Sequence, residues 1–475
     1  MRGNIQKIPM TANQLSVNNY KLRGPIHFIG IGGCSMSGIA YILFKKGYKV
    51  QGADLQENSY TKRLTELGIK VYIGHKKDNI KDAKEIVYSN AVSCGNEELV
   101  LAKQKGLEIF PRGQILASLM NSSAGIAICG SHGKTTTSSL ISFLFLRAGL
   151  EPTFIVGGNV IDLDTNAHVG KSELFIAEAD ESDGSFLMLS PLFEIITNIE
   201  EEHLDYYKNF ENLKNAFLKY IHNIKNGGSL IAGGDDEIVK NILMSHKKNI
   251  KAQIITYGIC PTNLIYASNI HTDNGKTCFE VNFKGKNLGK IKMSLLGIHN
   301  VKNALACIAV GLLNGIKFKE IAEILPGFRG VSRRFQIKGR YKGALIVDDY
   351  AHHPTEIKAA IQMVEELKPK RTIAIFQPHR YTRTQYFVRE FAKALKKVDV
   401  PILIPIYAAS EKPIPGVTSR LICEHLEKLG TPALHFENKK EVVAYLKKTI
   451  QPNDIVLTVG AGDVYKIGEE LLGKN

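Results

Sequence analysis

The fold is decided by one stretch, Ile128-Cys129-Gly130-Ser131-His132-Gly133-Lys134-Thr135-Thr136-Thr137. The apolar run Ala124 to Cys129 predicts a buried parallel strand, and a helical pattern begins at Thr135 and continues through Leu144. In such a loop, glycines let backbone N–H groups surround phosphate oxygens, the lysine ammonium reaches the outer phosphates, and a threonine hydroxyl can hold Mg²⁺. The stretch therefore predicts a nucleoside triphosphate site formed by Gly130, Ser131, His132, Gly133, Lys134, Thr135 and Thr136.

The loop departs from the general P-loop pattern at one position. Ile128 stands six residues before Lys134, where that pattern has a glycine. The alternative interpretation is a glycine-rich turn ahead of a helix that carries a surface lysine. Polar groups at the ends of later predicted strands favour the phosphate loop.

Length and composition limit the classes of protein to consider. The chain has 475 residues, 44% of them hydrophobic, which suits about two to four domains, most simply three. The net charge of +15 could attract nucleic acid, but the lysines are scattered and lack interleaved aromatic residues. We therefore expect a solvated basic surface and no nucleic-acid partner.

Cysteine usage and hydropathy indicate a cellular compartment. The 7 cysteines are scattered without a Cys-x-x-Cys pair, which favours a reducing compartment without disulfides or a structural zinc site. The first residues lack the apolar core of a signal peptide, and no apolar run has the roughly 18 residues of a membrane span. We expect a cytoplasmic protein with no membrane partner, either a monomer or a homodimer.

A second glycine loop lies near the N-terminus. The strand pattern Ile26 to Ile29 leads into Gly30 to Gly38, and the next predicted strand ends at Asp54, where a Rossmann unit carries its ribose-binding acid. The dinucleotide fingerprint fails at Ser35, which replaces its third glycine. We interpret the loop as a nucleotide or sugar-nucleotide site, with a packing turn as the alternative.

Acidic residues follow two predicted strands after the central loop. Glu178 to Asp183 follow one strand, and His203 lies among acids after the next. Carboxylates brought together beside a phosphate loop suit Mg²⁺, whereas an exposed acidic loop or a surface histidine is the alternative.

Two further segments carry polar groups suited to a nucleotide. Asn300 and Asn303 lie one turn apart and could face a purine edge or cap a helix. The proline and glycines of Pro326 to Phe335 predict a hinge with phosphate-binding arginines. Polar residues then follow four predicted strands of the last domain, as at the rim of a cleft.

Seven motifs in this order resemble the Mur ligase family: Gly30 to Gly38, Gly130 to Thr137, Glu178 to Phe186, Asn198 to His203, Gly297 to Ala306, Asp348 to Pro354 and Gln377 to Thr384. The resemblance covers the chain from about Ile26 to its end. It also accounts for Ile128, because the family has its own form of phosphate loop.

The resemblance implies an α/β fold with three domains. Residues 24–121 would form an N-terminal Rossmann-like domain for a UDP-sugar, and residues 122–332 a central P-loop ATPase domain with a mainly parallel sheet. Residues 333–475 would form a C-terminal Rossmann-like domain that closes over ATP and binds an amino acid. Residues 1–23 would be a disordered lead-in.

The motifs look most like those of family members that join L-alanine to UDP-N-acetylmuramate. The resemblance implies that ATP, with Mg²⁺, phosphorylates the lactyl carboxylate, and that the alanine amine displaces phosphate from the acyl phosphate. The alternative is a recycling ligase of the same family that adds a ready-made tripeptide. A nicotinamide-dependent oxidoreductase and a nucleic-acid-associated ATPase are remote alternatives.

The same resemblance implies roles for individual residues. Catalysis would depend on Lys134, Glu178, His203, His352 and Arg380. Mg²⁺ would be held by Thr135, Glu178 and His203. ATP would also contact His299, Asn300, Asn303, Arg334 and Asp349. The UDP-sugar would contact Gly30, Gly32, Gly33, Ser35, Met36, Ser37 and Asp54. The amino acid would contact Tyr350, His352 and Arg380. Arg333 remains an alternative to Arg334, and Arg383 to Arg380.

Overall fold

The computed structural model describes residues 16–17, 20–409 and 411–473. The described chain forms three α/β domains, each built on its own, largely parallel sheet. The predicted fold class is therefore confirmed, while the domain boundaries drawn from the sequence stay a prediction. Among the described residues, no helix combines the length and the apolar character needed to cross a membrane.

The segment ahead of the first domain is partly ordered. Strands β1 (Ser16–Val17) and β2 (Tyr20–Lys21) pair antiparallel. Val17 and Leu22 are almost completely buried in the apolar core of the N-terminal and central domains. The prediction of a disordered lead-in over residues 1–23 was thus wrong for its last part, because two apolar side chains anchor it. The remainder lies outside the described residues.

The N-terminal sheet has five parallel strands in the order β5-β4-β3-β6-β7. Its elements are β3 (Ile26–Ile29), α1 (Cys34–Lys45), β4 (Val50–Asp54), α2 (Ser59–Glu66), β5 (Lys70–Ile73), β6 (Glu85–Tyr88), α3 (Glu97–Gln104), β7 (Glu108–Pro111) and α4 (Arg112–Asn121). The strand order reverses between β3 and β6, so the glycine loop after β3 lies where open α/β sheets bind ligands. Ser35, Met36 and Ser37, predicted as loop residues, lie in the first turn of α1.

The central sheet has ten strands in the order β10-β9-β11-β8-β12-β13-β14-β15-β16-β17. Its elements are β8 (Ala124–Cys129), α5 (Lys134–Arg147), β9 (Thr153–Val160), β10 (Thr165–His168), β11 (Leu174–Glu178), β12 (Phe193–Ile196), α6 (Leu204–Tyr207), α7 (Phe210–Ile221), β13 (Ser229–Gly233), α8 (Glu237–His246), β14 (Gln253–Gly258), β15 (Ile265–Asp273), β16 (Lys276–Phe283), β17 (Lys286–Met293), α9 (Ile298–Leu313) and α10 (Phe318–Ile324). The seven strands from β9 to β15 in this order run parallel, whereas β10, β16 and β17 join antiparallel. Because β11 and β12 flank β8, the ends of all three strands meet at the phosphate loop.

The C-terminal sheet has six strands in the order β18-β19-β23-β20-β21-β22. Its elements are β18 (Gln336–Tyr341), β19 (Ala344–Asp349), α11 (Pro354–Glu366), β20 (Arg371–Phe376), α12 (Tyr381–Leu395), β21 (Val400–Leu403), α13 (Arg420–Lys428), β22 (Leu434–His435), α14 (Lys439–Thr449), β23 (Asp454–Val459) and α15 (Tyr465–Leu471). Apart from the antiparallel β18, the strands are parallel, so β19, β20 and β23 end at one edge. Their loops carry the polar residues predicted to line a cleft.

Candidate active site

The phosphate loop joins β8 to α5 and depends on two glycines. Gly130 and Gly133 have φ values of +117° and +85°, in the region that side chains disfavour. A Cβ on Gly133 would also lie 2.6 Å from Asn303 Oδ1. The loop geometry therefore requires glycine at both positions, as the sequence pattern predicts.

Asn198, at the end of β12, holds the loop in shape. Its Oδ1 accepts a hydrogen bond from the His132 backbone N–H at 2.9 Å, and its Nδ2 donates to the His132 carbonyl at 3.0 Å. Its own carbonyl accepts from the Ser131 N–H at 3.0 Å. Sequence reasoning did not assign Asn198 to the site, although a polar residue directly after a buried strand was an available signal.

The loop lysine is paired with an acid that sequence reasoning did not single out. Lys134 Nζ donates to Glu181 Oε1 at 2.6 Å and to the Gly130 carbonyl at 2.5 Å. Burial lowers the pKa of Lys134, but the Glu181 carboxylate outweighs it and raises the pKa overall. The Lys134 ammonium therefore stays charged in a largely buried environment, where its electrostatic interaction with Glu181 is strong.

Thr135 and Glu178 come together as predicted for a magnesium site. The Thr135 hydroxyl donates to Glu178 Oε2 at 3.2 Å, and the Ser138 hydroxyl donates to Glu178 Oε1 at 3.2 Å. The strand register explains the contact, because Glu178 pairs with Ile128 across the β11–β8 ladder. A hydroxyl and a carboxylate beside a phosphate loop are the hard oxygen donors that suit Mg²⁺.

His203 lies next to a different pair of acids. Its Nε2 is 3.9 Å from Glu181 Oε1 and 3.9 Å from Glu202 Oε2. The residue adopts a left-handed backbone conformation, with φ +57°, directly ahead of α6. His203 and Lys134 therefore both lie next to Glu181. The role of His203 as a magnesium ligand stays a prediction.

A cavity of about 410 Å³ opens beside the loop, between the central and C-terminal domains. Nine of the predicted ATP contacts line it: His132, Gly133, Thr135, Thr136, His299, Asn300, Asn303, Arg334 and Asp349. Sequence reasoning missed other lining residues, including Asp235, Asp236, Tyr257, Lys302 and Glu356. Most of the lining side chains are polar or charged, and Leu295, Ile298 and Met363 add apolar surface. We refer to this space as the nucleotide cavity, because the sequence predicts ATP there.

The predicted purine-reading amides are largely engaged with the protein itself. Asn300 Nδ2 donates to the Leu296 carbonyl at 2.7 Å, and Asn303 Nδ2 donates to Asn300 Oδ1 at 3.2 Å. Asn303 Oδ1 accepts from the Thr137 hydroxyl at 3.2 Å. The two asparagines therefore brace α9 against the phosphate loop. Their neighbour His299 also lines the cavity, and burial lowers the pKa of its imidazole to about 4.

The two hinge arginines have different surroundings. Arg333 Nε donates to Asp348 Oδ2 at 3.2 Å, and its guanidinium lies 4.5 Å from the Tyr465 ring centroid. Arg334 lines the nucleotide cavity, with Nη1 3.7 Å from Glu356 Oε1. Of the two arginines, Arg334 therefore lines the cavity predicted to bind ATP, whereas Arg333 contacts Asp348 and Tyr465.

Asp349 ends β19 inside the nucleotide cavity. Its Oδ2 accepts from the Phe335 N–H at 2.7 Å, and its Oδ1 accepts from the Ala351 N–H at 2.7 Å. Burial raises the pKa of this carboxyl from 3.8 to about 6, against the opposing pull of Arg334. Asp349 thus fixes the hinge to the C-terminal sheet.

A second cavity of about 410 Å³ lies between the N-terminal and central domains. Gly33, Ser35 and Met36 line it, together with Lys134 and Glu178 from the phosphate-loop region. Arg112, which sequence reasoning missed, donates to Ser35 Oγ and to Asp180 Oδ2, at 3.1 Å each. The two cavities therefore meet at the loop, with Lys134 on one and Thr135 on the other.

The remaining residues predicted for the sugar nucleotide support the shape of the glycine loop. Asp54 Oδ2 accepts from the Gly32 N–H at 2.8 Å, and the Ser37 hydroxyl donates to the Cys34 carbonyl at 2.8 Å. Gly30 has φ +82°, in the region that favours glycine. The side chains of Asp54 and Ser37 therefore form hydrogen bonds with the backbone of the glycine loop and of α1.

Aromatic and histidine side chains cluster near the predicted amino-acid site. The His352 ring lies 5.4 Å from the Tyr350 ring and 5.9 Å from the His379 ring, centroid to centroid. Arg383 Nη1 is 3.3 Å from His379 Nδ1, whereas Arg380 is exposed and forms the N-cap of α12. The structure thus brings Arg383, rather than the predicted Arg380, against this cluster.

Comparisons with known proteins agree with this three-domain arrangement. Residues 25–124 match the Mur ligase family catalytic domain, residues 128–311 the Mur ligase middle domain, and residues 333–462 the glutamate ligase domain of Mur ligases. A UDP-N-acetylmuramate–L-alanine ligase of Carboxydothermus hydrogenoformans is 44% identical over 94% of this chain and 96% of its own length. The chain belongs to the Mur ligase family. The family expected from the sequence motifs is thereby confirmed.

Other relatives of this Mur ligase give a consistent picture. A UDP-N-acetylmuramate–L-alanine ligase of Aquifex aeolicus is 45% identical over 94% of this chain and 96% of its own length. The crystal structure of a UDP-N-acetylmuramate-alanine ligase from Thermotoga maritima superposes with a TM-score of 0.82 at 29% identity, covering 94% of this chain and 98% of that one. A murein peptide ligase from Psychrobacter arcticus, 22% identical with a TM-score of 0.72, covers 94% of this chain and 98% of its own, and shows the shared fold alone.

Proposed function

We propose that this Mur ligase joins L-alanine to the lactyl carboxylate of UDP-N-acetylmuramate, with ATP converted to ADP and phosphate. The relatives at 44% and 45% identity carry the name of this activity and align over nearly their whole length. The expectation from the sequence agrees with them. The product is an early cytoplasmic precursor of peptidoglycan, and the enzyme would thereby serve cell-wall growth, cell shape and division.

The observation that carries the proposal is the meeting of two interdomain cavities at the phosphate loop. The cavity between the N-terminal and central domains suits the sugar nucleotide, and the cavity between the central and C-terminal domains suits ATP. Lys134 lines the first and Thr135 the second. A carboxylate that enters from one side can therefore reach the terminal phosphate that enters from the other.

Two steps account for the reaction. A lactyl carboxylate oxygen attacks the terminal phosphorus of ATP, the bond to the bridging oxygen breaks, and ADP leaves. The amine of L-alanine then attacks the acyl carbon, and the tetrahedral intermediate expels inorganic phosphate as the amine loses its proton. The protein chiefly positions the reactants and neutralises charge, which is the main catalytic contribution in phosphoryl transfer.

In this proposal the predicted residues have the following roles. Lys134 would stabilise the transferred phosphoryl group, and Thr135, Glu178 and His203 would hold Mg²⁺. When bound, Mg²⁺ would neutralise charge on the phosphate oxygens. Tyr350, His352 and one arginine of the turn before or within α12 would bind L-alanine, since a guanidinium pairs well with a carboxylate.

The tripeptide-recycling ligase is the second candidate. Its structural relative from Psychrobacter arcticus shares the fold at 22% identity, which is below the identity of the alanine ligases. We favour L-alanine because the relatives at 44% and 45% identity are named alanine ligases. An oxidoreductase would leave the central phosphate loop without a purpose, and a nucleic-acid-associated ATPase is favoured by net charge alone.

The proposal is tested by the release of inorganic phosphate from ATP. The purified chain is incubated with Mg²⁺ and UDP-N-acetylmuramate, and L-alanine is compared with L-alanyl-γ-D-glutamyl-meso-diaminopimelate. Release that depends on L-alanine supports the proposal. Release with the tripeptide alone would identify the recycling ligase, and release with neither would remove both.

A further inference from the structure

Three potential metal ligands from separate segments meet where the central and C-terminal domains join. They are His132 in the phosphate loop, Glu202 after β12, and His353 directly ahead of α11, and one ligand atom of each lies within 4.8 Å of the others. The His132 and His353 rings are 5.5 Å apart between centroids, and Glu202 Oε1 is 3.9 Å from His353 Nε2. The spacing is close enough for small side-chain movements to bring all three onto one ion.

We propose that His132, Glu202 and His353 form a site for a divalent transition-metal ion of the Zn²⁺ class. Two imidazoles and one carboxylate are a frequent zinc donor set, with the remaining position open to water. The predicted magnesium site has two oxygen ligands, from Thr135 and Glu178, and one imidazole, from His203, so the site with two imidazoles suits a softer ion. The sequence-based expectation of no structural zinc site rested on cysteine spacing and did not consider histidines from different domains.

An unsatisfied ring nitrogen of His353 supports the assignment. His353 is only 8% exposed, and its Nδ1 has no hydrogen-bond partner within the described part of the chain. A buried polar atom left without a partner is costly, and a bound ion with its water ligand would satisfy it.

Carboxylates around His132 complete the arrangement. Glu200 Oε2 is 3.3 Å from His132 Nε2, and Glu356 Oε1 is 3.5 Å from His132 Nδ1. A histidine that binds a metal usually donates its other N–H to a carboxylate, which orients the ring. Whichever nitrogen of His132 binds the ion, the other faces such a carboxylate. Binding would release a proton from the ring.

The position of the site has a structural consequence. His132 belongs to the loop that surrounds the ATP phosphates, whereas His353 forms the N-cap of α11 in the C-terminal domain. An ion bound by both would therefore fix the phosphate loop to the C-terminal domain beside the nucleotide cavity. The inference concerns a further site and does not depend on which amino acid the enzyme uses.

A cobalt titration of the full-length, metal-free protein in millimolar Mg²⁺ tests the site. We expect one Co²⁺ per chain, with visible ligand-field absorption and without the charge-transfer band of a thiolate ligand. Glu202→Gln and, separately, His353→Gln should weaken Co²⁺ binding at least about tenfold, because each removes a ligand. His271→Gln, which alters an exposed histidine on β15, is the matched control and should bind as wild type does.

Circular dichroism checks that each variant is folded, and His353→Asn replaces His353→Gln if that variant is not. Equal Co²⁺ affinity in wild type and in both ligand variants would overturn the proposal. A thiolate charge-transfer band would assign the ion to cysteines instead, and complete displacement of Co²⁺ by millimolar Mg²⁺ would make the cluster part of the magnesium site. Both results would also overturn it.

Discussion

Lys134 and Glu181 form an ion pair of 2.6 Å inside the phosphate loop. Glu181 is 2% exposed, and its backbone carbonyl accepts a hydrogen bond from the Tyr207 hydroxyl at 2.6 Å. The lysine is thus folded back onto its own loop, held by a buried acid. ATP must compete with Glu181 for the ammonium, and its phosphates bring more negative charge than one carboxylate.

The first prediction concerns this lysine. Lys134→Ala should lower the rate of phosphate release at least about 100-fold, because it removes a preorganised positive charge from the transferred phosphoryl group. Calorimetric binding of UDP-N-acetylmuramate should change much less than turnover does, since Arg112 and the N-terminal glycine loop also line that cavity. Lys76→Ala, at an exposed lysine in the N-terminal domain, is the control. Near wild-type turnover in Lys134→Ala would remove the lysine from the mechanism.

Asn198 should act on nucleotide binding through the loop. Asn198→Ala removes both side-chain hydrogen bonds to the His132 backbone, and buried bonds of this kind are worth about 1 kcal/mol each. We expect kcat/KM for ATP to fall roughly 10- to 100-fold. Asn198→Asp keeps the acceptor and loses the donor, so its loss should be smaller. An unchanged ATP dependence in Asn198→Ala would show that the loop keeps its shape without these bonds.

The raised pKa of Asp349 predicts a pH dependence of stability. Between its ordinary pKa of 3.8 and about 6, the folded protein holds a proton on this carboxyl that the unfolded chain has lost. The contribution of Asp349 to the free energy of unfolding therefore falls as pH rises through this window, by roughly 3 kcal/mol in total. Asp349→Asn cannot titrate there. The difference in unfolding free energy between variant and wild type, measured with urea from pH 4 to 7, should change with pH, and a constant difference would contradict this.

The two arginines near α12 can be separated kinetically. Arg383 lies against His379, whereas Arg380 is exposed. We expect Arg383→Ala to raise the KM for L-alanine more than Arg380→Ala does, with little change in the KM for ATP in either variant. A larger effect of Arg380→Ala would instead support the arginine expected from the sequence.

The sequence pattern predicted the phosphate loop and the ends of the strands beside it, because β8, the glycine loop and α5 follow one another directly in the chain. Parallel strands also made Glu178 predictable, since their carboxyl ends share an edge. Glu181 and Asn198 were missed as loop contacts because they meet Lys134 and His132 only after the sheet orders its strands non-sequentially. The choice between Arg380 and Arg383 depended on the backbone at Arg380, whose φ of +71° no spacing rule specifies.

The most direct test of the account is phosphate release from ATP as a function of L-alanine, with UDP-N-acetylmuramate and Mg²⁺ present. We expect release that saturates with L-alanine, equals the amide product formed, and requires the sugar nucleotide. Release that is independent of L-alanine, or that occurs without UDP-N-acetylmuramate, would contradict the central claim that the two cavities meet at the phosphate loop to couple ATP to amide formation.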